Sequence, residues 1–268
     1  MKRLYLEITN SCNLNCPFCT YEKGNSFLTV EEIDDCLKQI KPYCDYIYLH
    51  MLGEPLLHPD FEKILNLLDD YRFKLQLVSN GTLLYKYPDI LKHSCLRKLS
   101  ISLHSVNNLD IADSYFETID NLIQNNEKVI ELRFYDRENL DERLQNYLNE
   151  LEERYGYSDT KRLNSYRLKE NLYIYFEKMF RWPDINDPII GEKGTCHGAI
   201  DMIAINSNLD VTICCLDPKA INRIGNLRKD KIKDILESKE YLEYIDSFRN
   251  HQLRSELCRR CSYRLRFK

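Results

Sequence analysis

Leu4-Tyr5-Leu6-Glu7-Ile8-Thr9-Asn10-Ser11-Cys12-Asn13-Leu14-Asn15-Cys16-Pro17-Phe18-Cys19 is the stretch from which the fold can be read. Apolar and polar residues alternate from Leu4 to Thr9, the period of a strand with one buried face. That strand runs straight into three cysteines spaced C-x3-C-x2-C. Three thiolates on one short loop can hold three irons of a cubane iron–sulfur cluster. No fourth cysteine follows in the loop, so the fourth iron is left to a different ligand. The competing reading is a three-cysteine zinc knuckle completed by a distant histidine. Zinc sites are usually closed by four protein ligands, often as paired C-x2-C units. The position just after a first strand, with Phe18 before the third cysteine, disfavours zinc.

Composition bounds the rest. The chain has 268 residues, 43% hydrophobic and 30% charged, enough for one large α/β domain and a smaller appendage. Mean hydropathy is -0.50. No run of about 18 apolar residues exists, which predicts no membrane span. Met1-Lys2-Arg3 leads directly into the strand without the apolar core of a signal peptide, so the expected location is the cytoplasm. The net charge of -4 gives no electrostatic footprint for nucleic acid. The basic end (Arg259, Arg260, Arg264, Arg266, Lys268) reads as a solvated terminus. Eleven cysteines in a reducing compartment point to metal rather than disulfides. Seven fall into two constellations. Cys36, Cys44, Cys95 and one of Cys214 and Cys215 read as small buried hydrophobes.

Strands and helices alternate along the first two thirds of the chain. Strands are expected at Leu4–Thr9, Tyr46–Met51, Lys74–Ser79, Lys98–Leu103, Val129–Phe134 and Leu172–Phe176. Between them lie a helix opened by the capping box Thr29-Val30-Glu31-Glu32 and carrying Ile33, Cys36, Leu37 and Ile40, and a second with Phe61, Ile64, Leu65 and Leu68. A short helix is expected over Pro88–Ser94, then one with Phe116, Ile119, Leu122 and Ile123, and one with Leu140, Leu144, Tyr147, Leu148 and Leu151. Six β-α units predict a parallel sheet with helices outside, curled by right-handed crossovers into a partial (β/α)6 TIM-like barrel.

The pattern changes after Arg181-Trp182-Pro183, which reads as pinning a linker that runs to Gly194. Met202–Ile205 and Val211–Cys214 flank Asn206-Ser207-Asn208 as a hairpin. Asp230–Ser238 and Tyr241–Phe248 read as short helices. A tail this small benefits from a metal staple. It holds the second constellation: Cys196, Cys214 (or Cys215), Cys258 and Cys261. Four thiolates suit either zinc or a second cubane cluster.

The Cys12/Cys16/Cys19 loop resembles the signature of the radical S-adenosylmethionine (radical SAM) superfamily, and the tail from Cys196 to Cys261 resembles its SPASM/twitch extensions. With cysteines for one auxiliary cluster, the tail is similar to the shorter twitch form. Ile213 stands where relatives carry a proline before the second cysteine. Gly53-Glu54-Pro55 resembles the G-G-E-P motif, with Leu52 in place of its first glycine, and Ser79-Asn80-Gly81-Thr82 resembles S-N-G-T. The resemblance implies a radical SAM domain over residues 1–185 and a small α+β twitch domain over 186–268. It implies a [4Fe-4S] cluster on Cys12, Cys16 and Cys19, with SAM chelated at the open iron. Phe18, Gly53, Glu54, Pro55, Ser79, Asn80, Ser102 and Arg133 would border or contact SAM; Arg133 could instead be a surface arginine paired with Glu131. An auxiliary [4Fe-4S] cluster would sit on Cys196, Cys214, Cys258 and Cys261.

The implied activity is reductive cleavage of SAM to a 5′-deoxyadenosyl radical and oxidation or modification of a substrate C–H site. A four-cysteine auxiliary cluster has closed coordination, which suits electron acceptance. The expected substrate is a small polar metabolite such as a sugar or cyclitol, because the chain has no room for an added N-terminal peptide-recognition domain. The alternatives are a peptide-modifying maturase and, remotely, a non-catalytic zinc protein. An electron donor such as flavodoxin or ferredoxin is implied; no nucleic acid or membrane partner is expected. His104, Tyr135 and Asp217 are the candidate bases, each read more readily as an ordinary packing or surface residue, so no catalytic residue is assigned.

Overall fold

The computed structural model describes residues 1–19, 24–124, 127–158, 160, 163–179 and 181–267. Lys268 of the basic end lies outside the described residues. The elements in chain order are β1 (Arg3–Leu6), α1 (Val30–Ile40), β2 (Tyr46–Tyr48), α2 (Phe61–Asp70), β3 (Lys74–Ser79), β4 (Leu96–Ser102), α3 (Ser114–Gln124), β5 (Val129–Tyr135), α4 (Glu142–Arg154), β6 (Ser165–Lys169), β7 (Leu172–Glu177), β8 (Met202–Ile205), β9 (Asp210–Thr212), β10 (Arg223–Asn226), α5 (Ile232–Glu237), α6 (Lys239–Arg249) and α7 (Glu256–Arg260). They form two compact units. The first comprises Met1–Cys12, Pro17–Lys74 and Phe180–Lys268; the second comprises Asn13–Cys16 and Leu75–Met179.

In the first unit the strand order is β10-β9-β8-β1-β2. β1 pairs in parallel with β2 on one side and with β8 on the other, Leu4 lying opposite Ile47 and Ile203. The tail therefore adds strands directly to the sheet that β1 begins. β8, β9 and β10 continue it as an antiparallel meander. Asn206 builds the β8–β9 turn: its Oδ1 accepts the Asn208 and Asp210 amides at 3.0 Å each. Leu209 takes the left-handed conformation at φ 64°. The expected hairpin is present, and two elements beyond it were not expected, β10 and α7. α1 and α2 bury Ile33, Cys36, Leu37 and Ile40, and Phe61, Ile64, Leu65 and Leu68, the residues that helical spacing selects. The Thr29 capping box forms: Thr29 Oγ1 accepts the Glu32 amide at 3.1 Å, and Glu32 Oε2 accepts the Thr29 amide at 3.0 Å.

One carboxylate fastens three parts of this unit. Glu7 follows β1 and is 2% exposed. Its Oε1 accepts the Leu52 amide and its Oε2 the Ser207 amide, each at 3.1 Å. It thus joins the first strand, the loop after β2 and the β8–β9 turn. Burial raises its pKa, and the two backbone donors offset that only in part.

In the second unit the order is β3-β4-β5-β7-β6, parallel except for the β6–β7 hairpin. The sixth strand was expected alone, yet β6 precedes it as an antiparallel partner. Asn171 at φ 60° makes the tight turn between them, a conformation asparagine tolerates. The helix expected over Pro88–Ser94 is instead two 3-10 turns, Leu84–Lys86 and Ile90–Lys92. Pro88 lacks an amide and bars Tyr87 from the α region, which keeps the two turns from joining into one helix. β4, β5 and β7 turn Leu99, Ile101, Ile130, Leu132, Phe134, Leu172 and Ile174 toward the core. Their other face is polar: Lys98, Ser100, Glu131, Arg133, Tyr175 and Glu177.

Two stability measurements check these anchors. Thr29→Ala should lower unfolding stability by about 1 kcal/mol in a denaturant titration. Glu7→Ala strands two buried amides, at about 1–3 kcal/mol each; Glu7→Gln keeps one acceptor and should cost clearly less. Equal losses in the two Glu7 variants would contradict the anchoring role.

Candidate functional site

The loop after β1 is clamped at its base within the first unit. Leu28 donates to Ile8 O at 3.0 Å, and Thr9 and Phe27 form an antiparallel bridge. Thr9 Oγ1 donates to Ser26 O at 2.8 Å, Asn10 Oδ1 accepts the Ser26 amide at 2.9 Å, and Ser11 Oγ donates to Gly24 O at 3.1 Å. Cys12, Cys16 and Cys19 ride on this loop as half-buried thiols outside any disulfide, Cys12 and Cys19 with the first unit and Cys16 with the second. Phe18 is half-buried beside them in the chain.

The stretch after β2 closes on the start of the same loop. A Cβ on Gly53 would overlap the Thr9 carbonyl, so only glycine allows this approach. The Glu54 amide donates to Ser11 O at 2.7 Å. The Glu54 carboxylate is buried and caps the 3-10 turn Pro55–Leu57, accepting the Leu56 amide at 3.1 Å. His58 closes the turn. Its Nε2 lies 2.8 Å from Leu28 O, and its Nδ1 accepts the Asp60 amide at 3.1 Å, which fixes the neutral tautomer with the proton on Nε2.

In the second unit, the turn after β3 grips Asn13. Asn80 Nδ2 donates to Asn13 Oδ1 at 3.0 Å, and Asn13 Nδ2 donates to Thr82 Oγ1 at 2.7 Å. Asn80 Oδ1 accepts the Thr82 amide at 3.0 Å, and Ser79 Oγ accepts the Gly81 amide at 3.0 Å. Gly81 stands at φ 82°, and a side chain there would meet Ile101 and Tyr115. Asn13, Leu14, Gly81, Thr82 and Tyr115 border a cavity of about 400 Å³. The Cys16 thiol donates to Ser105 O at 3.4 Å.

The polar face of β4, β5 and β7 is organised by charge pairs. Arg133 pairs with Glu177. Glu131, its partner in the alternative surface reading, instead pairs with Lys98 at 3.3 Å and accepts Ser100 Oγ at 2.9 Å. The register explains the exchange: Arg133 lies opposite Tyr175 on β7, two residues from Glu177 on the same face. Ser102 is buried opposite Arg133. His104 is buried, its ring stacked on Tyr135 with centroids 3.8 Å apart and its Nδ1 3.3 Å from Arg133 O. Burial first, and then the Arg133 charge, push its pKa down to about 3.

The tail cysteines converge within the first unit. Cys196, Cys214, Cys258 and Cys261 all line one cavity. Cys196 precedes β8, Cys214 follows β9, and α7 carries Cys258, with Cys261 capping its end. Amides point at three sulfurs: Gly198 N to Cys196 Sγ at 3.4 Å, Leu216 N to Cys214 Sγ at 3.3 Å, and Asn222 Nδ2 to Cys258 Sγ at 4.0 Å. Cys215 turns instead toward Met202, with its Sγ 4.0 Å from Sδ. All four lining thiols have raised pKa values. Burial is the main cause for Cys196 (about 12), Cys258 and Cys261, and contact with Cys215 for Cys214. A bound metal's charge is what would hold such a set as thiolates. Among the described residues, no three His, Cys, Asp or Glu side chains gather tightly enough to hold a single ion. A donor set of four thiols around one cavity suits a multi-iron cluster, in which each thiolate binds its own iron. Cys36, Cys44 and Cys95 are buried core residues, as expected.

Three residues at this site escaped the sequence. Asp217, considered only as a base, lines the cavity at 1% exposure and accepts Thr212 Oγ1 at 3.1 Å, the Ile221 amide at 2.9 Å and the Asn222 amide at 2.7 Å. Burial raises its pKa. Asn222, 3% exposed, accepts Ser255 Oγ and carried no local signal. Arg264, read as part of a solvated end, is 6% exposed and lines the same cavity. The linker residue Pro183 lines it too.

The radical SAM superfamily model matches residues 6–146, and the model of the SPASM iron–sulfur cluster-binding domain matches residues 196–262. Among curated proteins, the chain is similar to a probable GTP 3',8-cyclase of Methanocella arvoryzae, 36% identical over 106 residues that make up 38% of this chain and 34% of that protein. It is also similar to the tungsten-containing aldehyde ferredoxin oxidoreductase cofactor-modifying protein of Pyrococcus furiosus, 38% identical over 91 residues, 31% of this chain and 25% of that one. The matched stretch thus spans about a third or less of these relatives. Among solved structures, BtrN in complex with AdoMet and 2-DOIA is 14% identical with a TM-score of 0.60, covering 97% of this chain and 92% of that one. Streptococcus suis SuiB bound to precursor peptide SuiA is 15% identical with a TM-score of 0.61, covering 92% and 66%. These likenesses show the fold: α/β with a large parallel sheet. The superfamily implies a [4Fe-4S] cluster and SAM, and the SPASM match implies auxiliary iron–sulfur binding. With its signature cysteines in place and the superfamily model matching more than half of its length, this chain belongs to the radical SAM superfamily.

Proposed function

We propose that the chain is a radical SAM oxidoreductase that removes two hydrogens from a small polar metabolite, a sugar or cyclitol, with an auxiliary cluster in the tail as electron acceptor. The observation that carries the substrate class is the polar face of β4, β5 and β7. Parallel sheets usually bury both faces in apolar side chains. Here one face carries Lys98, Ser100, Glu131, Arg133 and Glu177, paired with one another, with Ser100 and Glu177 buried and the others half-buried. Such a face suits a hydroxyl-rich ligand.

In this reading Cys12, Cys16 and Cys19 hold the SAM-binding cluster, and Cys196, Cys214, Cys258 and Cys261 hold the auxiliary one. Cys214 is preferred over Cys215 because it is Cys214 that lines the shared cavity. When bound, these groups and SAM supply hydrogen-atom abstraction at an unactivated C–H bond and a sink for the remaining electron. The protein's part is placement. Gly53, Glu54 and Pro55 would offer backbone carbonyls to the SAM ammonium, while the buried Glu54 carboxylate, engaged by the Leu56 amide, shapes the turn that carries them. Phe18, Ser79, Asn80, Ser102 and Arg133 border the SAM site, with Arg133 held in place by Glu177. The functional division falls between residues 1–185 and 186–268. The reductant is a flavodoxin or ferredoxin in the cytoplasm.

His104 is a poor candidate for the base, since burial and Arg133 suppress its basicity. It holds position by stacking on Tyr135. Its protonation has a sign that can be checked. The unfolded chain binds a proton at this histidine near pH 6.5, whereas the folded chain binds it near pH 3. Stability should therefore fall as pH falls from about 6.5 toward 3, by up to about 1.4 kcal/mol per pH unit from this group. His104→Asn should flatten that slope in acid-titrated unfolding.

A second reading, modification of a peptide side chain, draws on the likeness to SuiB, which was solved with a precursor peptide. Product mass separates the two: a metabolite lighter by two hydrogens supports oxidation, and a cross-linked peptide supports modification. The cluster assignment is tested by iron and sulfide after anaerobic purification. Wild type should carry about eight irons. Replacing Cys12, Cys16 and Cys19 by Ala should halve the iron and abolish 5′-deoxyadenosine release. Replacing Cys258 and Cys261 should remove the other half and leave some release. Unchanged iron after the second replacement would contradict the tail assignment.

A further inference from the structure

Arg264 is a buried cation whose hydrogen-bond partners among the described residues are all neutral carbonyls. It sits in the turn Ser262–Arg266 after α7. Its Nε donates to Cys258 O at 3.0 Å, its Nη1 to Lys193 O at 3.2 Å and its Nη2 to Gly191 O at 3.1 Å. Two glycines make room for the guanidinium: a Cβ on Gly194 would lie 2.8 Å from Nη1, and one on Gly191 would lie 3.1 Å from Nη2. Other arginines near the chain's end pair with carboxylates, Arg259 and Arg260 both with Glu256 and Arg254 with Glu243. Among the described residues Arg264 has no such ion pair. Burying a cation against carbonyl dipoles alone is costly, and an anion nearby repays it. The same side chain lines the cavity of Cys196, Cys214, Cys258 and Cys261. Four thiolates around a cubane cluster make that anion.

We propose that Arg264 is the counter-cation of the auxiliary cluster and raises its reduction potential, a positioning and tuning residue rather than a catalytic one. This rests on the reading that the tail holds such a cluster. Reduction adds one electron, hence one negative charge, to the cluster and its four thiolates, and a fixed guanidinium stabilises the reduced form more than the oxidised one. Net charge and hydrogen bonds to sulfur are what set such potentials. The N–H groups of Gly198, Leu216 and Asn222 act in the same direction as Arg264. Asp217 is the opposing charge on the cavity wall, and the Thr212 hydroxyl and the Ile221 and Asn222 amides already engage it. A raised potential makes the cluster a better acceptor for an electron from substrate.

The test is a dithionite redox titration of the full-length, two-cluster protein, followed by electron paramagnetic resonance, reading the signal that SAM leaves unchanged. Arg264→Gln should make reduction about tenfold less favourable, a shift of 59 mV for a one-electron couple. Arg264→Lys, which keeps the charge, should stay near wild type. If Arg264→Gln loses the cluster while Arg264→Lys keeps full iron, charge compensation is again supported. An unchanged potential in Arg264→Gln, or equal shifts or equal iron loss in both variants, would overturn the proposal and leave Arg264 a strap on the Gly191 and Lys193 carbonyls. Wild type with only about four irons would instead overturn the cluster assignment itself.

Discussion

The Glu7 carboxylate is the anchor for much of the rest. It sits between the first strand and the cysteine loop, out of water, with one oxygen on the Leu52 amide and the other on the Ser207 amide. Those two amides lie far apart in sequence, one in the loop that carries Gly53-Glu54-Pro55 and one in the hairpin of the tail. A buried carboxylate needs such donors, and buried amides need an acceptor, so each side of the arrangement depends on the other. The Ser26 hydroxyl adds a tie to the same turn, donating to Ser207 O at 3.1 Å. The far base of the cysteine loop is thereby fixed to the tail hairpin as well. A parallel pairing between β1 and β8 supplies the backbone frame on which this fastening is built.

From this anchor the cysteine chemistry gains its setting. The first constellation needs a loop whose ends are fixed while its crown stays open to a ligand. The Thr9, Asn10 and Ser11 side chains fix the ends, and the cysteines remain half-buried. The second constellation needs four sulfurs gathered from distant parts of the sequence. β8 and β9 place Cys196 and Cys214, and the Ser255 cap on α7 places Cys258, with the Leu257 amide 3.1 Å from Ser255 Oγ. Asn222 joins that cap to a sulfur, accepting the Ser255 hydroxyl while donating toward Cys258. The two settings differ in kind: one is a loop fastened at its two ends, the other a lined cavity with Arg264 and Asp217 in its wall.

Local signals in the sequence carried most of the elements. The Thr29 capping box, the helical faces of α1 and α2 and the strand over Lys74–Ser79 are written in residues a few positions apart, and they form as read. The tail cysteines were legible as a set because C-x2-C near the end needs partners. Features that depend on distant contacts were not legible. A glutamate on an apolar strand looks the same whether it faces water or two stranded amides. Nothing near Arg133 in sequence distinguishes Glu131 from Glu177 as its partner; the β5–β7 register decides that. Arg264 sits among basic residues at the end of the chain, and only the Gly191 and Lys193 carbonyls folding over it show that it is buried.

The central claim is that one chain carries two cubane clusters in different settings, one open to SAM and one closed by four cysteines. Electron paramagnetic resonance of the dithionite-reduced protein, recorded with and without SAM, tests it most directly. The account predicts two [4Fe-4S] signals, one that changes when SAM is added and one that does not. A single signal, or two that both change with SAM, would contradict it.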